Sequence, residues 1–582
     1  MKAEFAERKS AAVRVNGGEA LVRALGAAGV SEVFGVPAGK LTPFMQALGG
    51  DSSPLRYTGV RHEAAATWMA AAVFQATGGL AVCFGESGPG SHNLLSALGS
   101  AHNNNLALLV LTPGAPSHLA YPHEGMTMDS DNVALFASVT KWGAVARDPA
   151  RIPDLVRRAI REALTGRPGP VHLEVPVDVL GSELELDPAQ LGLVPEQFLP
   201  SGRPQADPAA VERAAELLVA AERPLLIAGG GVSVSGAAGE FRALAERLGA
   251  AATATQMGLG CVSTDSPTFF GHGGVVGGAA VVRAMQEADV VLAVGCRFSS
   301  WLWCGSGPCV RGWPAQELIQ VDIDPATIGR ARPLSVGLQG DAGAVLGQLL
   351  EALPAGAGPG AGAAAEPTAW LSSLVDDHRA YRDELRALAD APADVMHPAA
   401  LAAEIGAALP PGSLVAYDGG HTTFWSNDLT PALEPRTRFH EPGMAHLGFG
   451  VPYAHALKLL FPERAVLSIT GDGAFGFTVQ ELDTARRLGL AAVHVIHNNS
   501  AWGVVGAGQR RAGFQLGIDL EGTDWAAVAH AFGCHAERVS RREEVAPALE
   551  RALASGLPAV IDAQVRFEPH PGLPLFAGAG RR

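Results

Sequence analysis

The segment from Ala465 to Asn499 constrains this chain more than any other. AVLSIT (Ala465–Thr470) is an apolar run of the length of a buried parallel strand, and Gly471-Asp472-Gly473 breaks it. Thr478–Gly489 then repeats with helical periodicity, and AAVHVIH (Ala491–His497) is a second strand that stops at Asn498-Asn499. Strand, helix and strand in this order specify a βαβ unit. Its right-handed crossover puts both carboxyl ends on one edge of a parallel sheet. Asp472 and Asn499, 27 positions apart, are therefore expected to converge.

Similar alternation of short apolar runs with amphipathic helical patterns fills three stretches, which predicts an α/β protein of three consecutive parallel-sheet domains. The chain has 582 residues, too many for one core of about 100–200. The expected boundaries are a first domain at 12–185, a central domain at 200–353, a linker at 354–396 that includes PAGAGPGAGAAAEP, a third domain at 397–567 and a Pro- and Gly-rich tail at 568–582. Strand candidates in the first domain are Glu32–Val36, Leu80–Phe84, Ala107–Leu111 and Val171–Val175.

A formal charge of −15 gives no overall attraction to nucleic acid or an anionic membrane, so a small-molecule substrate is expected. No run approaches about 20 uninterrupted apolar residues, and Met1–Arg14 has mixed charge without an apolar stretch, so neither membrane spanning nor export is expected. A cytoplasmic location follows. The six scattered cysteines read as buried thiols in a reducing compartment; the Cys304 and Cys309 pair lacks a second pair to complete a metal site.

The chemistry expected at the βαβ edge is that of a Mg²⁺-bound diphosphate. Mg²⁺ prefers hard oxygen donors in octahedral geometry. The Asp472 carboxylate, the Asn499 amide oxygen and the Ala501 backbone carbonyl supply three, leaving places for phosphate oxygens and water. Gly473 and Gly476 permit close approach of backbone to diphosphate, and the helix that follows offers free N–H groups. A lone GDG or a lone NN is ordinarily just a turn. The two together, at the two ends of one βαβ unit, point to function.

GDGAFGF followed by NN resembles the thiamine-diphosphate signature of the acetolactate synthase and benzaldehyde lyase superfamily, and the resemblance runs over nearly the whole chain. It implies pyrimidine-binding, central and diphosphate-binding domains in that order. It also implies a homodimer or homotetramer with active sites between subunits. By that resemblance Glu63, in Arg61-His62-Glu63, is the catalytic glutamate that hydrogen-bonds the cofactor pyrimidine and promotes formation of the C2 carbanion. Leu447, in MAHLGFGVP, takes the position of the apolar residue that props the bent cofactor. Gly420, His421 and Thr422 follow the strand SLVAY, where diphosphate oxygens would be received. With Gly471, Asp472, Gly473, Ala474, Asn499, Ala501, Trp502 and Gly503 they form the expected cofactor set, of which Asp472, Asn499 and Ala501 are the metal ligands.

Substrate-side signals are weaker. Ala38 and Gly39, in FGVPAGK, are expected wall positions, and Lys40 reads equally well as solvated. Met128 falls near the place of a glutamine in acetolactate synthases, and a thioether cannot donate that hydrogen bond. His118, His123 and Glu124 are the nearby polar candidates, and His421 also faces the expected substrate side. No adjacent His-His pair occurs, which disfavours simple decarboxylation to an aldehyde. Gly229-Gly230-Gly231, Arg297 and Asp322-Ile323-Asp324 resemble the strand ends that hold FAD, ADP or CoA in this superfamily, and RFSSWLWCG resembles oxalyl-CoA decarboxylase and 2-hydroxyacyl-CoA lyase. The expected function is an acetolactate synthase-like lyase or carboligase acting on 2-oxo acids. A 2-hydroxyacyl-CoA lyase or oxalyl-CoA decarboxylase-like enzyme is the rival of the same class; a non-catalytic cofactor-binding or regulatory subunit is the rival of another.

Overall fold

A computed structural model describes residues 12–120, 126–274, 277–305, 315–354, 357 and 367–572. A two-stranded antiparallel pair joins β1 (Val13–Asn16) to β8 (Glu183–Leu186). Between them lie β2 (Glu32–Gly35), β3 (Arg56–Gly59), β4 (Val82–Phe84), β5 (Leu109–Gly114), β6 (Trp142–Val145) and β7 (Val171–Pro176), a parallel sheet of order β3-β2-β4-β5-β7-β6.

The second parallel sheet contains β9 (Pro224–Ala228), β10 (Ala251–Ala254), β11 (Phe269–His272), β12 (Val290–Val294), β13 (Glu317–Asp322) and β14 (Val336–Gln339), in the order β11-β10-β9-β12-β13-β14. The third contains β15 (Leu414–Asp418), β16 (Arg438–Phe439), β17 (Val466–Gly471), β18 (Val493–Asn498), β19 (His535–Val539) and β20 (Ala559–Gln564), in the order β16-β15-β17-β18-β20-β19. Numbered within each sheet, the first and third share the order 2-1-3-4-6-5, whereas the second has the 3-2-1-4-5-6 order of doubly wound nucleotide folds. One compact unit is built on the first sheet and a second unit holds the other two.

Burial of both sheet faces explains the unbroken apolar strands. In the second sheet Leu226, Ala228, Leu292 and Val294 enter one core, and the alternating Leu225, Ile227, Val291 and Ala293 enter the other. In the third, Val415, Tyr417, Leu467, Ile469, Val493 and Val495 share one core, while Ile496 and Val560 belong to the opposite face.

Four features differ from the sequence expectations. The stretch read as a linker holds a 22-residue helix, Ala369–Asp390, whose Leu371, Leu374, Leu385 and Ala389 are buried. The Ala-, Gly- and Pro-rich run before it obscured that periodicity. The strand Trp142–Val145 was not among the candidates because it is short and mostly half-exposed, whereas Arg56–Gly59 falls within LRYTGV, which reads as a short strand-like segment. At the start of the expected tail, His570 is fully buried. Lys40 is not simply solvated: its ammonium donates to the Met128 carbonyl at 2.6 Å and the Thr127 carbonyl at 3.2 Å. Cys83, Cys261, Cys296 and Cys534 are buried free thiols; the side chains of Cys304 and Cys309 lie outside the described residues. Among the described residues no helix is long and apolar enough to cross a membrane.

Candidate active site

The third sheet changes winding direction between β15 and β17, and neighbouring loops diverge at such a point to leave a crevice beyond the strand ends. Asp418 pairs with Thr470 and Gly471 with His497, so three adjacent strands end level at that edge. A cavity of about 270 Å³ opens there. It is lined by Gly420, His421, Thr422, Leu447, Gly471, Asp472, Gly473, Ala474, Asn499, Ala501, Trp502 and Gly503, all twelve third-domain residues expected at the cofactor.

Glycines set how closely its walls approach. A Cβ on Gly420 would stand 2.2 Å from Val504, and one on Gly473 would stand 2.6 Å from the Trp502 ring. The helices Gly420–Leu429 and Gly503–Arg511 both begin at the cavity. Their first N–H groups have no partner within the helix, which suits an anion. At the turn after β18, Asn499 Oδ1 accepts the Ala501 N–H at 3.1 Å, and Ser500 adopts φ of +53°.

Asp472 is 4% exposed, and burial pushes its pKa up to about 7, against the opposing N–H groups of Gly473, Ala501 and Ser500. It forms no ion pair among the described residues. A buried carboxylate beside an amide oxygen and a backbone carbonyl is a hard-oxygen donor set lacking a counter-charge, so it fits Mg²⁺. His421 is 4% exposed with neither ring nitrogen hydrogen-bonded; burial first, then the nearby His570, lowers its pKa to about 4 and keeps it neutral. These free nitrogens fit a polar ligand. The residues present therefore suit a metal-bound diphosphate.

Leu447 is held by the backbone around it. The Asp418 carboxylate accepts the N–H groups of Gly448 at 3.1 Å and Gly450 at 2.9 Å. Gly448 has φ of +91°, and a Cβ there would lie 2.5 Å from that of Phe477. Only glycine suits that position.

The cavity has walls that sequence reasoning missed. Trp301, from the second sheet's side, packs edge-on against Phe424 at 5.8 Å and donates to the Pro442 carbonyl at 2.9 Å. His440, Glu441, His446, Phe449 and His497 also line it. The Glu441 carboxylate accepts the Tyr453 hydroxyl. His497 was recoverable as the last residue of the second βαβ strand. His446 and Phe449 flank Leu447 within MAHLGFGVP and Trp301 lies in RFSSWLWCG, whereas His440 and Glu441 belong to no motif read from the sequence.

The first unit places Glu63 at the first position of helix Glu63–Thr77, where the His62 ring caps the Ala64 N–H at 3.2 Å. Glu63 Oε2 accepts the Asn93 amide at 2.9 Å, and a Cβ on Gly90 would reach within 3.1 Å of Oε1. Ala38 is buried and Gly39 exposed, on the segment after β2. Met128 is 48% exposed with φ of +56°, its Cα 3.2 Å from where a Gly88 Cβ would stand. His118 is exposed on the turn after β5. His123 and Glu124 lie outside the described residues.

The nucleotide-facing expectation for the triple glycine meets a packed strand end. A Cβ on Gly229 would fall 2.0 Å from the Gly295 carbonyl oxygen, and one on Gly231 would fall 2.6 Å from the Gly295 Cα. These two glycines are required by backbone contact between the ends of β9 and β12. Asp322 and Asp324 cap neighbouring backbone, Asp322 accepting the Asp324 N–H at 3.0 Å and Asp324 the Ala326 N–H at 3.0 Å.

Comparison with known proteins agrees with this arrangement. Residues 15–135 match the thiamine pyrophosphate enzyme N-terminal TPP binding domain, 211–349 the central domain and 418–563 the C-terminal TPP binding domain. A probable acetolactate synthase large subunit of Methanocaldococcus jannaschii is 32% identical, over 97% of this chain and 94% of that protein. The acetolactate synthase large subunit of Corynebacterium glutamicum is 31% identical, over 95% and 87% respectively. A probable 2-ketoarginine decarboxylase of Pseudomonas aeruginosa is 34% identical, over 93% and 91%. With three matching domains in family order and full-length relatives, the chain belongs to the thiamine pyrophosphate enzymes.

Proposed function

We propose that this protein is an acetolactate synthase-like carboligase that takes 2-oxo acids as donors. The observation that carries the reading is the single cavity lined by all twelve expected third-domain residues. Bound thiamine diphosphate would supply a nucleophilic carbon for the donor carbonyl and an electron sink for the charge left when CO₂ departs. Asp472, Asn499 and the Ala501 carbonyl hold Mg²⁺, and the N–H groups at the starts of the two helices receive the diphosphate oxygens. Leu447 supports the cofactor from its apolar side. His421, kept neutral by burial, donates one hydrogen bond and accepts another at the diphosphate or substrate.

Glu63 accepts or shares a proton at the pyrimidine, and Asn93 orients its carboxylate. The active enzyme is at least a homodimer in which Glu63 of one subunit completes the site of another, and it works in the cytoplasm. No nucleotide is assigned to the second sheet, because packing already accounts for its glycines. Glu63→Gln is expected to retain thiamine diphosphate and Mg²⁺ binding while 2-oxo acid turnover falls at least about 100-fold, the scale of one lost acid–base group. Full turnover with cofactor bound would remove Glu63 from this role.

A second reading is decarboxylation of a basic 2-oxo acid, favoured by the relative named as a probable 2-ketoarginine decarboxylase. Product analysis separates the two: a carboligase yields a longer 2-hydroxy-3-oxo acid, a decarboxylase an aldehyde.

A further inference from the structure

The first sheet shares its strand order with the third, so its own change of winding falls between β2 and β4. One residue beyond β4 is Gly85, and the next is Glu86, which no motif had singled out. Its carboxylate spans the crevice. Glu86 Oε2 accepts the Lys40 N–H at 3.0 Å, Oε1 accepts the Ser87 N–H at 3.0 Å, and a Cβ on Gly39 would lie 3.7 Å from Oε2. The group thus sits against the expected substrate wall, on the loop whose Gly90 end touches Glu63.

Its missing counter-ion is the informative feature. Glu86 is half-buried and has no ion pair among the described residues. Lys40, whose backbone binds it, sends its ammonium instead to the Thr127 and Met128 carbonyls. Two N–H donors leave about half of a carboxylate's roughly four acceptor sites free. A half-buried anion held this way gains most from a ligand that brings a cation, and a guanidinium can engage both oxygens.

From this we infer that Glu86 selects donors with a cationic side chain, so that the preferred substrate class is a 2-oxo acid bearing a guanidinium or ammonium group. The inference rests on the 2-oxo acid reading above. The relative named for 2-ketoarginine is independent of the geometry.

The test is kcat/KM of the holoenzyme for 5-guanidino-2-oxopentanoate and 6-amino-2-oxohexanoate against pyruvate and uncharged 2-oxohexanoate, by CO₂ release, with wild type and Glu86→Gln. Wild type is expected to favour the cationic donors over 2-oxohexanoate by about 10- to 100-fold, the usual worth of a charged hydrogen bond. Glu86→Gln should remove that preference with neutral donors changed less than about threefold, because glutamine keeps the shape and one acceptor oxygen. Equal loss for all donors would make Glu86 a purely structural bridge and overturn the inference. A wild type indifferent to donor charge would overturn it even if the variant did not fold. If no 2-oxo acid releases CO₂, the functional reading fails as well. Turnover of neutral donors without a cationic preference defeats the inference alone.

Discussion

At Asp472 and Gly473 the requirements of folding and binding diverge. Asp472 is buried without a counter-charge, an arrangement that costs stability until a cation arrives. Asp472→Ala should therefore leave the melting temperature without cofactor unchanged or higher, and should abolish the rise that thiamine diphosphate with Mg²⁺ produces in wild type. An undiminished rise would remove Asp472 from the metal set. Gly473→Ala should act differently: its Cβ, 2.6 Å from the Trp502 ring, must shift that cavity-lining ring, weakening cofactor binding about tenfold or more. Fluorescence titration with thiamine diphosphate would show it. The pair was legible in sequence because every part of the βαβ unit lies within 35 residues of chain, from Ala465 to Asn499. Glu86 was illegible for the opposite reason: in GESGPG it reads as an ordinary carboxylate before a helix, and its meaning depends on Lys40, 46 positions away.

Among elements, helix Gly420–Leu429 links the cavity to a buried polar cluster. Its first turn carries His421 and Thr422, and its last turn carries Asp428. Asp428 accepts the Tyr381 hydroxyl at 2.6 Å, lies 3.0 Å from His570 Nε2 and stands 3.4 Å from His272 Nε2. Burial pushes its carboxyl pKa up, but contacts and charge from the two imidazoles outweigh that and hold it well below the usual range. Asp428→Ala would strand these groups in the interior at a cost of about 2–4 kcal/mol. A lower melting temperature is expected, with weaker cofactor binding because the cavity end of the helix loses its anchor. Unchanged values of both would show the cluster to be dispensable. Sequence periodicity predicts the helical runs of all three domains, yet it gave no sign of this cluster, whose members come from a strand, two helices and the C-terminal stretch. Helix Ala369–Asp390 shows how composition misleads: the Gly- and Ala-rich run before it suggested a linker, although Leu371 and Leu374 already had helical spacing.

Over the whole molecule, buried imidazoles set the response to acid. Burial lowers the pKa of His172, His440, His494 and His497 to about 3, and that of His378, His397 and His421 to about 4. Each is neutral when folded but takes up a proton near pH 6.5 when unfolded, so each contributes stability that is complete above pH 6.5 and declines as pH falls toward its folded value. Burial raises Asp418 and Asp472 to about 7 and also raises Asp562, and these act in the opposite sense. Seven groups outnumber three, so the melting temperature should fall between pH 7.5 and 5.5, which calorimetry at the two pH values would measure. A flat profile would mean that these rings are solvated.

The three-sheet order was legible because the central strands of each sheet are buried and read as continuous apolar runs; the shared 2-1-3-4-6-5 order of the first and third was not, since strand neighbours leave no local trace. The polar cluster at Asp428 also bears on how the chain can be shortened. Cutting after Phe567 would spare every residue that lines the cavity, yet it would take away His570. The far end of the helix that bears His421 would lose one of its fastenings. A trimmed version designed by inspecting the pocket alone would thus be weakened from behind.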